Sequence, residues 1–125
     1  MGEIKTYRDL IVWQKSMTLV TAIYQATRRF PKEEIYGLSS QLRRAAVSLP
    51  SNIAEGHGRN STRDYVHFLA IATGSLYELQ TQIMISFNLG YLDKPLFQAL
   101  DESAREIERM IGSLVRRLRA KGRSR

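Results

Sequence analysis

Residues 37–59, GLSSQLRRAAVSLPSNIAEGHGR, constrain the fold of this chain more tightly than any other stretch. Leu38, Leu42, Ala45, Leu49 and Ile53 recur at three- and four-residue steps, the spacing of a single helix face, while uncharged polar residues and two arginines fill the other positions. Pro50 falls inside this span; it has no backbone donor, so the helix is expected to kink or restart there. The segment Gly56-His57-Gly58-Arg59-Asn60 then reads as a loop. A one-sided apolar helix of this kind must be covered by partners with the same period.

Three further segments supply that period. The first helix carries Leu10, Trp13, Met17, Val20, Tyr24 and Thr27 as its seam, with Asp9 as N-cap, and ends at Phe30-Pro31 because the residue before proline is driven out of the helical region. The second helix is expected to begin at Glu33 or Glu34, where acids suit a helix N-terminus, and to add Ile35 to its buried face. A third begins after a Ser61 or Thr62 cap and runs along Tyr65, Phe68, Leu69, Ala72, Leu76, Leu79, Ile83 and Phe87 to the stop signal Asn88-Leu89-Gly90. A fourth follows Asp93 and Pro95 and carries Leu96, Leu100, Ala104, Ile107, Ile111, Leu114 and Leu118. No strand pattern competes, and short connections favour antiparallel neighbours. The expected fold is all-α, an up-down-up-down antiparallel four-helix bundle over residues 9–119, with an N-terminal extension (1–8) and a basic tail (120–125).

Two helices are apolar over more than one face. Val12, Leu19, Ile23 and Ala26 form a second stripe on the first helix, and Val66, Thr73, Tyr77 and Met84 do so on the third. Large exposed apolar patches are uncommon on soluble monomers, so these stripes favour self-association. Gly74-Ser75 reads as a close helix crossing, and Gly112 as a second place where a neighbour approaches.

Charge adds a partner class. The net charge is +7, and Arg116, Arg117, Arg119, Lys121, Arg123 and Arg125 are basic with no acid among them; setting those six aside from the 19 Lys and Arg leaves 13 against 12 acids. The excess is therefore local. Such a segment attracts the phosphates of RNA, DNA or anionic lipid by counterion release, or serves only as a solvated tail. The chain has no cysteine, which removes disulfides and thiolate metal sites and suits a reducing cytoplasm. Its first residues lack the apolar run of a signal peptide, and no stretch is apolar enough for a membrane span.

Catalytic patterns are missing. Gly56-His57-Gly58 lacks the Lys-Ser or Lys-Thr ending of a phosphate loop and follows no strand. His57 and His67, even with Glu55 or Asp64, do not have metal-ligand spacing. Ser48 and Ser51 near Glu55 have no positioned base. No catalytic residue, metal or cofactor is assigned.

The words DLIVWQKS, FPKEEIYGLSSQLRRAAVSLPSNIAEGHGR, FLAIATGSLYELQTQI and NLGYL, in that order across residues 7–118, closely resemble the bacterial four-helix-bundle proteins first noticed as open reading frames in intervening sequences of large-subunit ribosomal RNA genes. The accessory variability protein of diversity-generating retroelements is similar in fold and belongs to the same broad group. The resemblance implies a cytoplasmic, non-enzymatic bundle that assembles as a ring-like homopentamer. For the retroelement branch it implies binding to nucleic acid and to a reverse transcriptase.

The polar positions within those words have a physical reading. Arg43 and Arg44 point about 100° apart, so one is expected to pair with an acid inside the bundle and the other to face a subunit boundary or solvent. Asn52 with Glu55, and Ser75 with Glu78, are three apart and share a helix face. Together these six are expected to form a structural polar network. Arg59 and Arg63, with Arg116, Arg117, Arg119 and Lys121, are the candidate phosphate contacts of a nucleic-acid-binding oligomer. The alternative is an adaptor oligomer that binds another protein.

Overall fold

The computed structural model describes residues 3–123. Four helices, α1 (Ile11–Thr27), α2 (Leu38–His57), α3 (Thr62–Asn88) and α4 (Lys94–Arg123), form an all-α bundle. Each helix packs on its neighbours in chain order and α4 closes the cycle on α1; the α2–α3 pairing is the most extensive and α1–α4 the least. Among the described residues there is no strand.

The core follows the expected period on three helices. Leu42, Leu49 and Ile53 of α2, Leu69, Leu76, Leu79 and Ile83 of α3, and Ala104, Ile107 and Ile111 of α4 are almost fully buried. On α1 the two stripes exchange roles. Val12, Leu19, Ile23 and Ala26 lie in the core, whereas Met17 and Tyr24 are exposed and Trp13 and Val20 lie at its margin. Both stripes have the helical period, and the compact branched side chains fit between α2 and α4 where Trp13 and Tyr24 would be overpacked.

The ends of the helices are capped locally. Ser61 Oγ accepts the Asp64 N–H at 3.1 Å and caps α3, and Asp93 Oδ1 accepts the Leu96 N–H at 2.9 Å and caps α4. At the C-terminus of α3, Tyr91 N–H bonds Ser86 O and Gly90 N–H bonds Phe87 O, with Gly90 at φ 80°. That pair of hydrogen bonds needs a residue in the left-handed region, which glycine adopts without strain.

Four local expectations are corrected. Asp9 does not cap α1; its carboxylate accepts the Lys5 and Thr6 N–H groups and closes a capping box on a 3₁₀ turn at Tyr7–Asp9, and α1 starts at Ile11. The second helix begins at Leu38, because Pro31 leads into a separate 3₁₀ turn at Lys32–Glu34. Glu34 still serves the helix, since its Oε1 accepts the Leu38 N–H at 3.1 Å, but Ile35 is exposed. Of the kink or restart expected at Pro50, the restart does not occur: α2 continues to His57 with Pro50 buried. Ser51 Oγ and Asn52 Nδ2 donate to the Val47 and Ser48 carbonyls at 2.7 and 2.8 Å around the missing backbone bond, and packing on α3 offsets its cost. Finally, the basic tail is helical as far as the structure describes it. α4 continues to Arg123, with Leu114, Val115 and Leu118 packed against the core; Ser124 and Arg125 lie outside the described residues.

The glycines also differ from expectation. A Cβ on Gly74 would meet nothing within 4 Å, and one on Gly112 would meet only Arg116 Nη1, at 3.5 Å. Neither marks a close crossing within the bundle. Gly56 does: a Cβ there would stand 2.9 Å from Phe68 Cβ and 3.1 Å from Tyr65 Cδ1. Gly56 and His57, expected in a loop, are the last residues of α2, and that turn of helix lies this close to α3 because position 56 has no side chain.

Candidate nucleic-acid interface

Antiparallel packing brings the separated basic residues to one end of the bundle. That end is formed by the Tyr7–Asp9 turn, the end of α2, the start of α3 and the last turns of α4. A Cβ on Gly122 would lie 4.0 Å from Thr62 Cγ2, so the α4 terminus is level with the α3 cap. Arg59 and Arg63 flank the α2–α3 turn there, and Arg116, Arg117, Arg119 and Lys121 are exposed on α4. Arg8, which was not among the expected contacts, joins them from the turn before α1 and stacks over Tyr7 at 5.3 Å. Its signal was invisible because nothing local ties residue 8 to residue 119.

The arginines differ in how firmly they are held. Arg59 lies over the Phe68 ring at 4.6 Å and reaches the Glu55 carboxylate at 3.6 Å. Both groups are largely exposed, so the ion pair contributes little and leaves the guanidinium available to another anion. Among the described residues, no ion pair joins Arg63, Arg116, Arg117 or Arg119 to an acid. The acids of this end are partly engaged: Asp9 is bonded to backbone N–H groups, which lower its pKa, and Glu55 faces Arg59.

Beneath the basic residues lies Tyr65. Its hydroxyl is buried without a hydrogen-bond partner, burial raises its pKa, and the nearby Arg117 charge opposes that rise. His57 packs edge-on against the same ring at 5.8 Å. Among the described residues, no group of three His, Asp or Glu side chains is placed to share a metal ion.

The polar network of α2 and α3 centres on Ser48, which joins the expected Asn52 and Ser75. Ser48 and Ser75 share a 2.7 Å hydrogen bond, and Asn52 Nδ2 donates to Ser48 Oγ at 3.0 Å. Arg43 does not meet an acid: its Nε donates to Thr27 Oγ1 at 2.8 Å and its guanidinium covers Tyr24 at 4.7 Å. Arg44, turned about 100° away, lines a cleft with Glu78, Ser48, Ser75 and Gln82, and among the described residues neither arginine forms an ion pair. Glu55 belongs to the bundle end with Arg59 instead. A neutral hydroxyl and a ring suffice for a half-buried guanidinium, because the ring face attracts the cation without a second charge being desolvated.

A family model described as "23S rRNA-intervening sequence protein" matches residues 8–113. No curated protein matches the chain. Among solved structures, the chain is similar to a protein of unknown function from the S23 ribosomal protein family of Bacteroides thetaiotaomicron, at 20% identity and a TM-score of 0.76, over 84% of this chain and 98% of that one. At that identity the likeness is one of fold. Among the described residues, no helix is long and apolar enough to cross a membrane.

Proposed function

We propose that this chain, which belongs to the 23S rRNA-intervening sequence protein family, is a non-enzymatic homo-oligomeric bundle that binds nucleic acid through the basic end of the bundle. The observation that carries this reading is the convergence of Arg8, Arg59, Arg63, Arg116, Arg117, Arg119 and Lys121 on one end of the molecule. Concentrated surface cations raise the local phosphate concentration and release counterions on binding, without base recognition. In a ring-like homopentamer the patch would be repeated, and affinity would rise by avidity. Such an oligomer suits a cytoplasmic accessory to an RNA- or DNA-processing partner such as a reverse transcriptase.

A second reading is an adaptor oligomer that binds another protein and has no direct nucleic-acid role. It is supported by the face left uncovered on α1, α2 and the connection between them, where Met17, Tyr24, Ile35 and Val47 are exposed.

Anisotropy titrations of labelled RNA and DNA at several salt concentrations separate the two. The nucleic-acid reading expects log affinity to fall linearly with log salt, by roughly 10³-fold or more between about 50 and 200 mM if about six phosphates are contacted. Weak binding with no salt slope overturns it.

A further inference from the structure

Between α3 and α4 the surface opens into two adjoining clefts of about 690 and 660 Å³, joined at Glu108 and Arg109. Their lining runs along α3 from Val66 to Ile85, about 28 Å of helix at 1.5 Å per residue. The floor of the larger cleft is aliphatic and shallow: Val66, Ala70, Ile111, Gly112 and Val115. Arg109, Arg116 and Arg119 stand along its α4 edge, and among the described residues none of them forms an ion pair. The one acid in that cleft, Glu108, is already engaged by Gln80 Nε2 at 3.0 Å and the Tyr77 hydroxyl at 3.4 Å.

We infer that this groove is a docking site for an amphipathic helix of a partner protein, with its apolar face on Ala70 and Val115 and acidic residues against Arg109, Arg116 and Arg119. Ala70 and Gly112 in the floor leave room for a helix backbone to approach, and the length suits about five turns. Charge decides the chemistry of the occupant. The other uncovered apolar face, on α1 and α2, carries Arg43 and Arg44 and no acid in its cleft, so a second copy docked by that face would set like charges together. Grooves that track single-stranded nucleic acid combine cations with several rings on which bases stack, and the larger cleft has Tyr77 alone. The site is separate from the basic end except at Arg116 and Arg119.

The test uses the full chain and two labelled synthetic helices of about five turns, one with leucines flanked by glutamates and a twin with lysines in place of the glutamates. The glutamate peptide is expected to bind about tenfold tighter than its twin. Ala70→Glu in the floor, and separately Arg109→Glu with Arg119→Glu on the edge, should each weaken it by about tenfold, whereas Ser51→Glu on the outer side of α2 should leave it unchanged. Melting curves identify any variant that fails to fold, and the edge variant leaves the floor intact for a second reading. Equal binding of the twins, or no loss in the edge variant, overturns the proposal. So does a change in oligomeric state in Ala70→Glu, which would mean that a second copy covers the groove. RNA displacing the peptide, with the same loss of RNA affinity in Ala70→Glu, would make the groove a nucleic-acid track and also overturn it. Loss of RNA binding in Arg63→Ala with peptide binding intact would leave this proposal standing.

Discussion

At Gly56 and Gly74 the same residue type has opposite consequences. Gly56 is buried with Phe68 Cβ 2.9 Å from the place a Cβ would take, and that atom cannot swing away. Gly56→Ala should therefore cost about 1–3 kcal/mol through overpacking. Gly74 lies in a helix with open space beside it, so Gly74→Ala should stabilise by about 0.5–1 kcal/mol through lower unfolded-state entropy. Chemical denaturation of the two variants gives the order directly; equal effects would remove the packing argument. Tyr65→Phe is expected to cost nothing and to gain up to about 1 kcal/mol, because the hydroxyl it removes is buried without a partner. The Ser61 cap was legible in the sequence because capping is decided within a turn. The Arg43 contact was not, because Thr27 and Tyr24 lie on another helix.

Single elements carry two further expectations. The Tyr7–Asp9 turn is closed by the Asp9 carboxylate accepting the Thr6 and Lys5 N–H groups, which hold its pKa below the usual 3.8. A folded-state pKa lowered in this way contributes stability that is present above pH ~4 and lost as pH falls through the folded value. Asp9→Asn should flatten this acid-side loss in pH-dependent melts, and an unchanged profile would remove Asp9 as its source. At the other end of the bundle, the Tyr91 hydroxyl donates to Glu34 Oε2 at 2.9 Å, which raises the Tyr91 pKa. The sign is reversed here: stability is full below the unfolded value near 10 and is lost as pH rises through the folded one. Tyr91→Phe should remove that alkaline-side loss. For α1, periodicity was legible but orientation was not. Two apolar stripes with the same period are equally good helix faces, and only packing against α2 and α4 decides which one is buried.

For the whole molecule, the basic segment is the deciding part. Because Leu114, Val115 and Leu118 pack on the core, removing residues 114–125 should lower the melting temperature, whereas removing residues 121–125 should leave those core contacts in place and weaken RNA binding. A melting temperature unchanged by the longer deletion would mean that the end of α4 contributes nothing to the bundle. Light scattering after size exclusion tests assembly, with Met17→Glu and Tyr24→Glu together expected to give a smaller species if the uncovered α1–α2 face is a subunit contact. The sequence by itself determined the four helices, the α3 cap to within one residue (Ser61 or Thr62), and most core positions, since these depend on residues within a few turns of one another. Only the tertiary structure decided that Val12 rather than Trp13 faces inward, that Gly56 rather than Gly74 is the close approach, and that Arg8, Arg63 and Arg119 share one end. Each of those depends on which surface another helix presents, and local spacing carries no information about that.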